Sequence, residues 1–487
     1  MKYKYGNTGL KTSIRRIRQD PTFKNIADKD HASKQWSLVV GLVSVGLLMV
    51  TWPVPHTISV RYLLVVFSLG WLGALAVRDP WVVSWQKAFG PPTALLTIFV
   101  LWMLLLALYG PMDPGWSLGE IRGQWVTAIF AAAIALFVVQ ASIARGMKFE
   151  TTFTVVALLP LFFHVLVIDL SGLLPVWSGG DLAERVAGLT SGPDTSSYLT
   201  NMSVALLLAE VLARSCHGRR IMPVGNTALI VLVAPALLSI VVGSTRNGIA
   251  VISVVGGIWA GMLFRGLYRV GKVGKIGAWT GVGVTILAVL ISLAVASTGK
   301  PGISWRQVAA AVPIALDTEH NRQWLDMSET PEVPKLPDGT EVDGSAYMRL
   351  AWFKEGLILI EEHPLGVGFG RQVFGHRIAQ KYGVEFRGHA HSSIIDLGIG
   401  TGFPGLFLWV GFLISLAAIA WRADRRYHDG FAAALFFVVL DFGLRSVVDS
   451  NVRDHMLQQF LFISTLLLLM TAHRPTLDSS SAAPARR

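Results

Sequence analysis

His389 and His391 stand two apart, directly before Ser392 and Ser393. The serines can cap a helix that begins there. A helix N-terminus disfavours a charged imidazolium, so His391 is kept neutral and able to take a proton from a hydroxyl. His389 either orients His391 or faces solvent, and solvent is the preferred reading. Two such histidines can also bind metal, but no carboxylate-and-histidine grouping of zinc spacing accompanies them, and no metal or cofactor is expected. A second chemical element is the turn Ser244-Thr245-Arg246-Asn247, which joins two apolar runs. The turn is so tight that Arg246 must sit at a membrane boundary, either snorkelling as an anchor or binding an anion. Gly248, just after it, leaves the backbone open to close approach.

Other ionisable groups fall inside apolar runs, where they cost free energy unless paired. They are Arg61, His164, Asp169, Asp396, Asp441, Arg445 and Asp449. Asp441, Arg445 and Asp449 lie four apart on one helix face and can neutralise one another. Taken with Asp396, the same acids could instead carry protons, the pattern of a transporter.

These groups need a scaffold, and the composition says which kind. Of 487 residues, 52% are hydrophobic and only 15% charged, with a mean hydropathy of +0.53. A soluble chain carries about 25% charge. Cys216 is the single cysteine, so no intramolecular disulfide can form. Twelve apolar runs are long enough to span a bilayer: about 36–54, 57–77, 92–109, 124–143, 152–170, 197–213, 223–243, 248–264, 277–297, 392–420, 430–448 and 457–472. The fold expected is an all-α polytopic membrane protein. The net charge of +11 needs no nucleic acid, because 26 of the 42 Lys and Arg fall in segments on one side of these runs. Positive-inside bias then puts both termini in the cytoplasm. The organisation expected is a basic cytoplasmic arm at 1–35, nine spans over 36–297 with an outer loop at 171–196, a large outer loop at 298–390, three spans over 391–472 and a tail at 473–487.

The large loop is long enough to carry function. It contains a helical pattern over 345–362, with Ala346, Leu350, Phe353, Leu357 and Ile360 as its apolar stripe. Pro364 ends that helix and the turn Gly366-Val367-Gly368-Phe369-Gly370 follows. Downstream, Gly398, Gly400, Gly402 and Gly405 with Pro404 predict a helix that kinks or breaks, letting another chain or a lipid pack closely.

Arg349, Trp352, Pro364, Gly366 and Gly368 read as R-x-x-W-x(11)-P-x-G-x-G. His391-Ser392-x(9)-Gly402-x-x-Gly405 follows them, and Ser244/Arg246 precede them. In this order the motifs resemble the O-antigen ligase and Wzy-polymerase superfamily of bacterial envelope glycosyltransferases. The family commonly has Asn where Ser392 stands. The resemblance implies a GT-C type fold in the inner membrane with a periplasmic site. It implies inverting transfer of a glycan from undecaprenyl diphosphate to a sugar hydroxyl of lipid A–core, without metal or nucleotide sugar. His391 would be the general base, and Arg246 and Arg349 would hold the diphosphate. Arg185, in the shorter outer loop, is a weaker third cation or an ordinary loop residue. His389 and Ser392 would lie beside the substrates. The glycines at 398–405 would admit a polyprenyl chain. Two alternatives stay open: a Wzy-type polymerase with the same donor, and a proton-coupled transporter or flippase.

Overall fold

The computed structural model describes residues 21–83, 90–181, 185–243, 245–274, 305–328, 332–336 and 339–473, with backbone alone at 21–34, 305 and 306. Apolar runs in lipid must close their hydrogen bonds internally, and the described chain is accordingly helical. Its helices are α1 (Pro21–Thr51), α2 (Ile58–Arg78), α3 (Pro91–Tyr109), α4 (Pro114–Ala144), α5 (Phe149–Trp177), α6 (Pro193–His217), α7 (Asn226–Val242) and α8 (Arg246–Arg269). After these come α9 (Trp305–Ala315), α10 (Gly344–Glu362), α11 (Val373–Tyr382), α12 (Ser393–Tyr427), α13 (Gly430–Val448) and α14 (Asp454–Ala472). Among the described residues nine helices are long and apolar enough to cross a membrane, and the apolar stretches Gln35–Thr51 and Asn226–Val242 are shorter. The outer faces of α2, α3 and α7 leave Leu63, Val66, Leu101 and Ile230 uncovered, a surface suited to lipid rather than water. The chain is a multi-pass membrane protein.

Eleven of the twelve expected spans fall on these helices, and the one at 277–297 lies outside the described residues. Two boundaries move. Helix α1 begins at Pro21, inside the stretch expected as a polar arm, because a helix can run on through polar residues once its apolar end is anchored. The outer loop expected at 171–196 shortens to the residues between Trp177 and Pro193.

Two cores hold the fold together. The larger one packs α14 against α4, α12 against α3 and α13, and α6 against α8 and α13. The smaller one gathers Trp324, Tyr347, Ala351, Trp352, Phe374, Ile378 and Ile395, and so ties α9, α10 and α11 to the first turn of α12. Helix α10 buries Tyr347, Met348, Ala351, Trp352, Glu355 and Leu359. The stripe read from the sequence only partly enters this core, with Leu350 and Phe353 packed at its edge. Of its members Ile360 is buried, but Ala346, Leu350 and Phe353 are only half-buried and Leu357 is exposed.

Helix α12 is broken at Gly402, whose backbone sits at φ +64° and ψ −171°. The break is filled by the protein itself. Val367 and Gly368 donate their amides to the carbonyls of Ile399 and Gly400 at 3.1 and 2.9 Å. The Trp102 indole donates to the Thr401 carbonyl at 2.7 Å. Phe403 donates back to the Pro364 carbonyl at 2.9 Å. Every interruption of a membrane helix needs such partners. The expectation that these glycines admit a polyprenyl chain is therefore corrected at Gly400 and Gly402, where the turn at 364–370 occupies the space. A Cβ on Gly402 would lie 2.3 Å from the Leu365 carbonyl carbon, whereas one on Gly398 would meet side-chain atoms alone, Ile360 Cδ1 at 2.4 Å and Leu406 Cδ1 at 3.0 Å among them. Backbone strain of the Gly402 kind costs about 1–3 kcal/mol before any clash is counted. Gly402→Ala is expected to lower the melting temperature in detergent by several degrees, and Gly398→Ala by clearly less. Equal melting curves for the two would show that the break tolerates a side chain.

Candidate functional site

Each chemical residue is placed by a local device. Thr245 caps α8, accepting from the Gly248 amide at 3.1 Å, and so sets Arg246 as the first helical residue. The Thr245 hydroxyl also donates to Ser197 Oγ at 2.9 Å. A Cβ on Gly248 would come within 1.9 Å of that Ser197 oxygen, so glycine is what lets α8 close on α6. Asp343 caps α10, accepting from the Ala346 amide at 2.8 Å, and its other oxygen pairs with Arg246 Nη2 at 2.7 Å. Arg349 follows on the second turn of the same helix.

The histidine segment is pinned from both sides. Asp396 Oδ1 accepts from the Ala390 amide at 3.1 Å, and Asp396 Oδ2 accepts from Ser450 Oγ at 2.8 Å. Ser392 is the cap of α12, accepting from the Ile395 amide at 3.4 Å. His391 between them lies at φ +52°. Its ring stacks on Trp352 with centroids 5.5 Å apart and planes 11° apart. Trp352 in turn donates its indole N–H to the Trp324 carbonyl at 3.1 Å. A non-glycine residue in left-handed backbone is uncommon, and such strain tends to persist where a site over-determines it. Arg185 has the same conformation at φ +54°.

These elements enclose a cavity of about 550 Å³ lined by Arg185, Arg246, Arg349, His391 and Ser392. Three cations and the histidine thus come together from elements spread over more than 200 positions of the chain, Arg185 to His391. Asp194, at the start of α6, and the apolar side chains Val308, Val312, Leu350, Phe353, Val447 and Val448 complete the wall. The apolar stripe of α10 reaches this cavity too: Ala346, Leu350 and Phe353 line it beside Arg349. A second, more open cavity of about 370 Å³ is lined by Val333, Gly344, Ser345, Met348 and Trp352, and it shares Ser345, Arg349 and His391 with the first.

Burial first, and the Arg349 charge second, push the His391 pKa down to about 4. The imidazole is therefore neutral at physiological pH and able to accept a proton. His389 lines neither cavity. Its ring lies against His391, with centroids 4.2 Å apart, rather than pointing into solvent, and its Nε2 is 3.4 Å from the Arg453 guanidinium. Burial and the neighbouring Arg453 lower its pKa as well.

Among the other membrane acids and cations, Arg445 and Asp449 have static partners, whereas both buried carboxylate oxygens of Asp169 make no hydrogen bond among the described residues. Arg445 is fully buried; it pairs with Asp449 at 3.0 Å and donates to Ser197 Oγ at 3.1 Å. Asp441 is buried on the same helix, one turn before Arg445. Asp343 and Asp194 are the site residues that sequence reasoning passed over. Asp343 did carry a signal, since an Asp-Gly-Ser run before a helical pattern marks a cap.

Fold and site together define a multi-pass membrane protein with a cationic cavity lined from α6, α8, α9, α10 and α13. Residues 230–410 match the family model for O-antigen ligase. The matched stretch holds Arg246, Asp343, Arg349, His389, His391 and Ser392, whereas Arg185, Asp194 and Arg445 lie outside it. No curated protein matches the chain.

Proposed function

We propose that this protein is an O-antigen ligase, moving a glycan from undecaprenyl diphosphate to a sugar hydroxyl of lipid A–core on the periplasmic face of a bacterial inner membrane. The observation that carries the reading is the meeting of two unlike cavities at one neutral histidine. The larger joins three arginines to an apolar wall, which suits a diphosphate on a prenyl chain. The more open one carries Trp352 and Met348, with Arg349 as its one arginine, which suits a sugar. An inverting displacement needs the nucleophile and the leaving group on opposite faces of the anomeric carbon. Here the two cavities share His391 and Arg349.

In the proposed step the acceptor oxygen bonds to the anomeric carbon as its proton passes to His391. The bond from that carbon to the diphosphate oxygen breaks, and the electron pair leaves with the diphosphate. Arg246 and Arg349 stabilise the charge that develops there, with Arg185 as a third cation. No redox partner enters, and the proton on His391 is released to water before the next cycle. Asp396 acts through the backbone, fixing the segment that carries His391, which accounts for a buried acid without a proton path.

The test supplies purified protein with polyprenyl diphosphate-linked glycan and lipid A–core, with chelator present and no ATP. Glycan on lipid A–core is the expected product. Longer polyprenyl-linked glycans with lipid A–core unmodified would replace this reading with a polymerase.

A further inference from the structure

The structure assigns Asp343 a role as the positioning residue for Arg246, an inference that rests on the diphosphate reading above. Its two carboxylate oxygens do different work. Oδ1 accepts the Ala346 amide at 2.8 Å and starts α10. Oδ2 takes the Arg246 guanidinium at 2.7 Å, with only 6% of the Asp343 side chain exposed. One acid therefore ties the first residue of α8 to the first turn of α10, and α10 carries Arg349. The spacing of Arg246 and Arg349 is set by that tie.

A cap alone does not explain the arrangement. Asn or Ser would serve as well at a helix N-terminus, without placing a charge beside the cavity. Among the described residues Asp343 is the carboxylate paired with Arg246. An arginine left without it would sample many rotamers, and ordering that side chain would weaken donor binding. The pair is made through one terminal nitrogen, Nη2, so the rest of the planar fork can meet phosphate oxygens.

The experiment measures the affinity of the full-length protein for undecaprenyl diphosphate in detergent, in the wild type, Asp343→Asn, Arg246→Gln and the double variant. Asn keeps the cap and removes the charge. Asp343→Asn is expected to weaken binding about tenfold when Arg246 is present and less than about twofold when Arg246→Gln is already in place. Its melting temperature should stay near that of the wild type. The same loss in both backgrounds would overturn the proposal in favour of a purely structural cap. Unchanged or tighter binding in Asp343→Asn would overturn it too, making Asp343 a competitor of the diphosphate. A wild-type protein that does not bind the lipid overturns the diphosphate reading and this inference together. One that binds it with the expected coupling, but extends polyprenyl-linked glycan instead of modifying lipid A–core, changes the acceptor and leaves the positioning role standing.

Discussion

His391→Ala is expected to reduce glycan transfer by about 10²–10⁴-fold, the usual worth of a positioned general base, with donor-lipid affinity nearly unchanged. Alanine alone confounds two effects, because residue 391 sits at φ +52°. His391→Asn separates them, since Asn tolerates left-handed backbone yet has no basic nitrogen. Equal losses in Ala and Asn place the effect in the missing base, whereas substantial activity in Asn would place it in the backbone. The pH profile gives a second, independent reading. The active form is the neutral imidazole, which exists above its pKa and disappears below it. With that pKa pushed down to about 4 by burial and by Arg349, kcat/KM should hold from neutral pH to about pH 5 and fall only as pH 4 is approached. An acid limb near 6.5, the value of an ordinary histidine, would mean that the base is solvated in the free enzyme.

The fold was legible wherever one physical constraint acted alone. A run of some 20 apolar residues in lipid has little choice but to be a helix. Expected spans such as 57–77, 92–109 and 430–448 accordingly coincide with α2, α3 and α13 to within a residue or two. Legibility failed where the sequence states a property but not its partner. The stripe Ala346, Leu350 and Phe353 is apolar whether it meets a core, lipid or a ligand, and here three of its members line the cavity. The glycines of α12 announce close approach without saying what approaches, and at Gly400 and Gly402 the answer is the chain's own turn at 364–370. In the site, Arg246 and His391 stood out because a cation at a tight turn and a histidine at a helix start are costly unless used. Asp343 did not stand out. Its partner is 97 positions earlier in the chain, and an acid in an acidic loop is unremarked until the fold brings Arg246 beside it.

Arg349→Lys is expected to lose about 10²–10³-fold in transfer, although it keeps the charge. Arg349 lines both cavities, so it is placed to face the leaving diphosphate and the base at once. Lysine offers a compact, strongly hydrated ammonium in place of a planar fork, and cannot bridge two phosphate oxygens in the same way. Near-wild-type turnover in Arg349→Lys would remove the fork from the diphosphate site. A second readout follows from the electrostatics. The Arg349 charge is one of the causes holding His391 in its neutral form. Removing it in Arg349→Gln favours the imidazolium, so the acid limb of kcat/KM should move up from about 4 towards the ordinary histidine range. In Arg349→Lys the positive charge remains and the limb should stay where it is. The two substitutions thus separate the two tasks of one residue. Lys tests the geometry of diphosphate binding at constant charge, and Gln tests the charge that keeps the base ready. If the acid limb fails to move in Arg349→Gln, burial alone sets the protonation of His391 and Arg349 serves the diphosphate only.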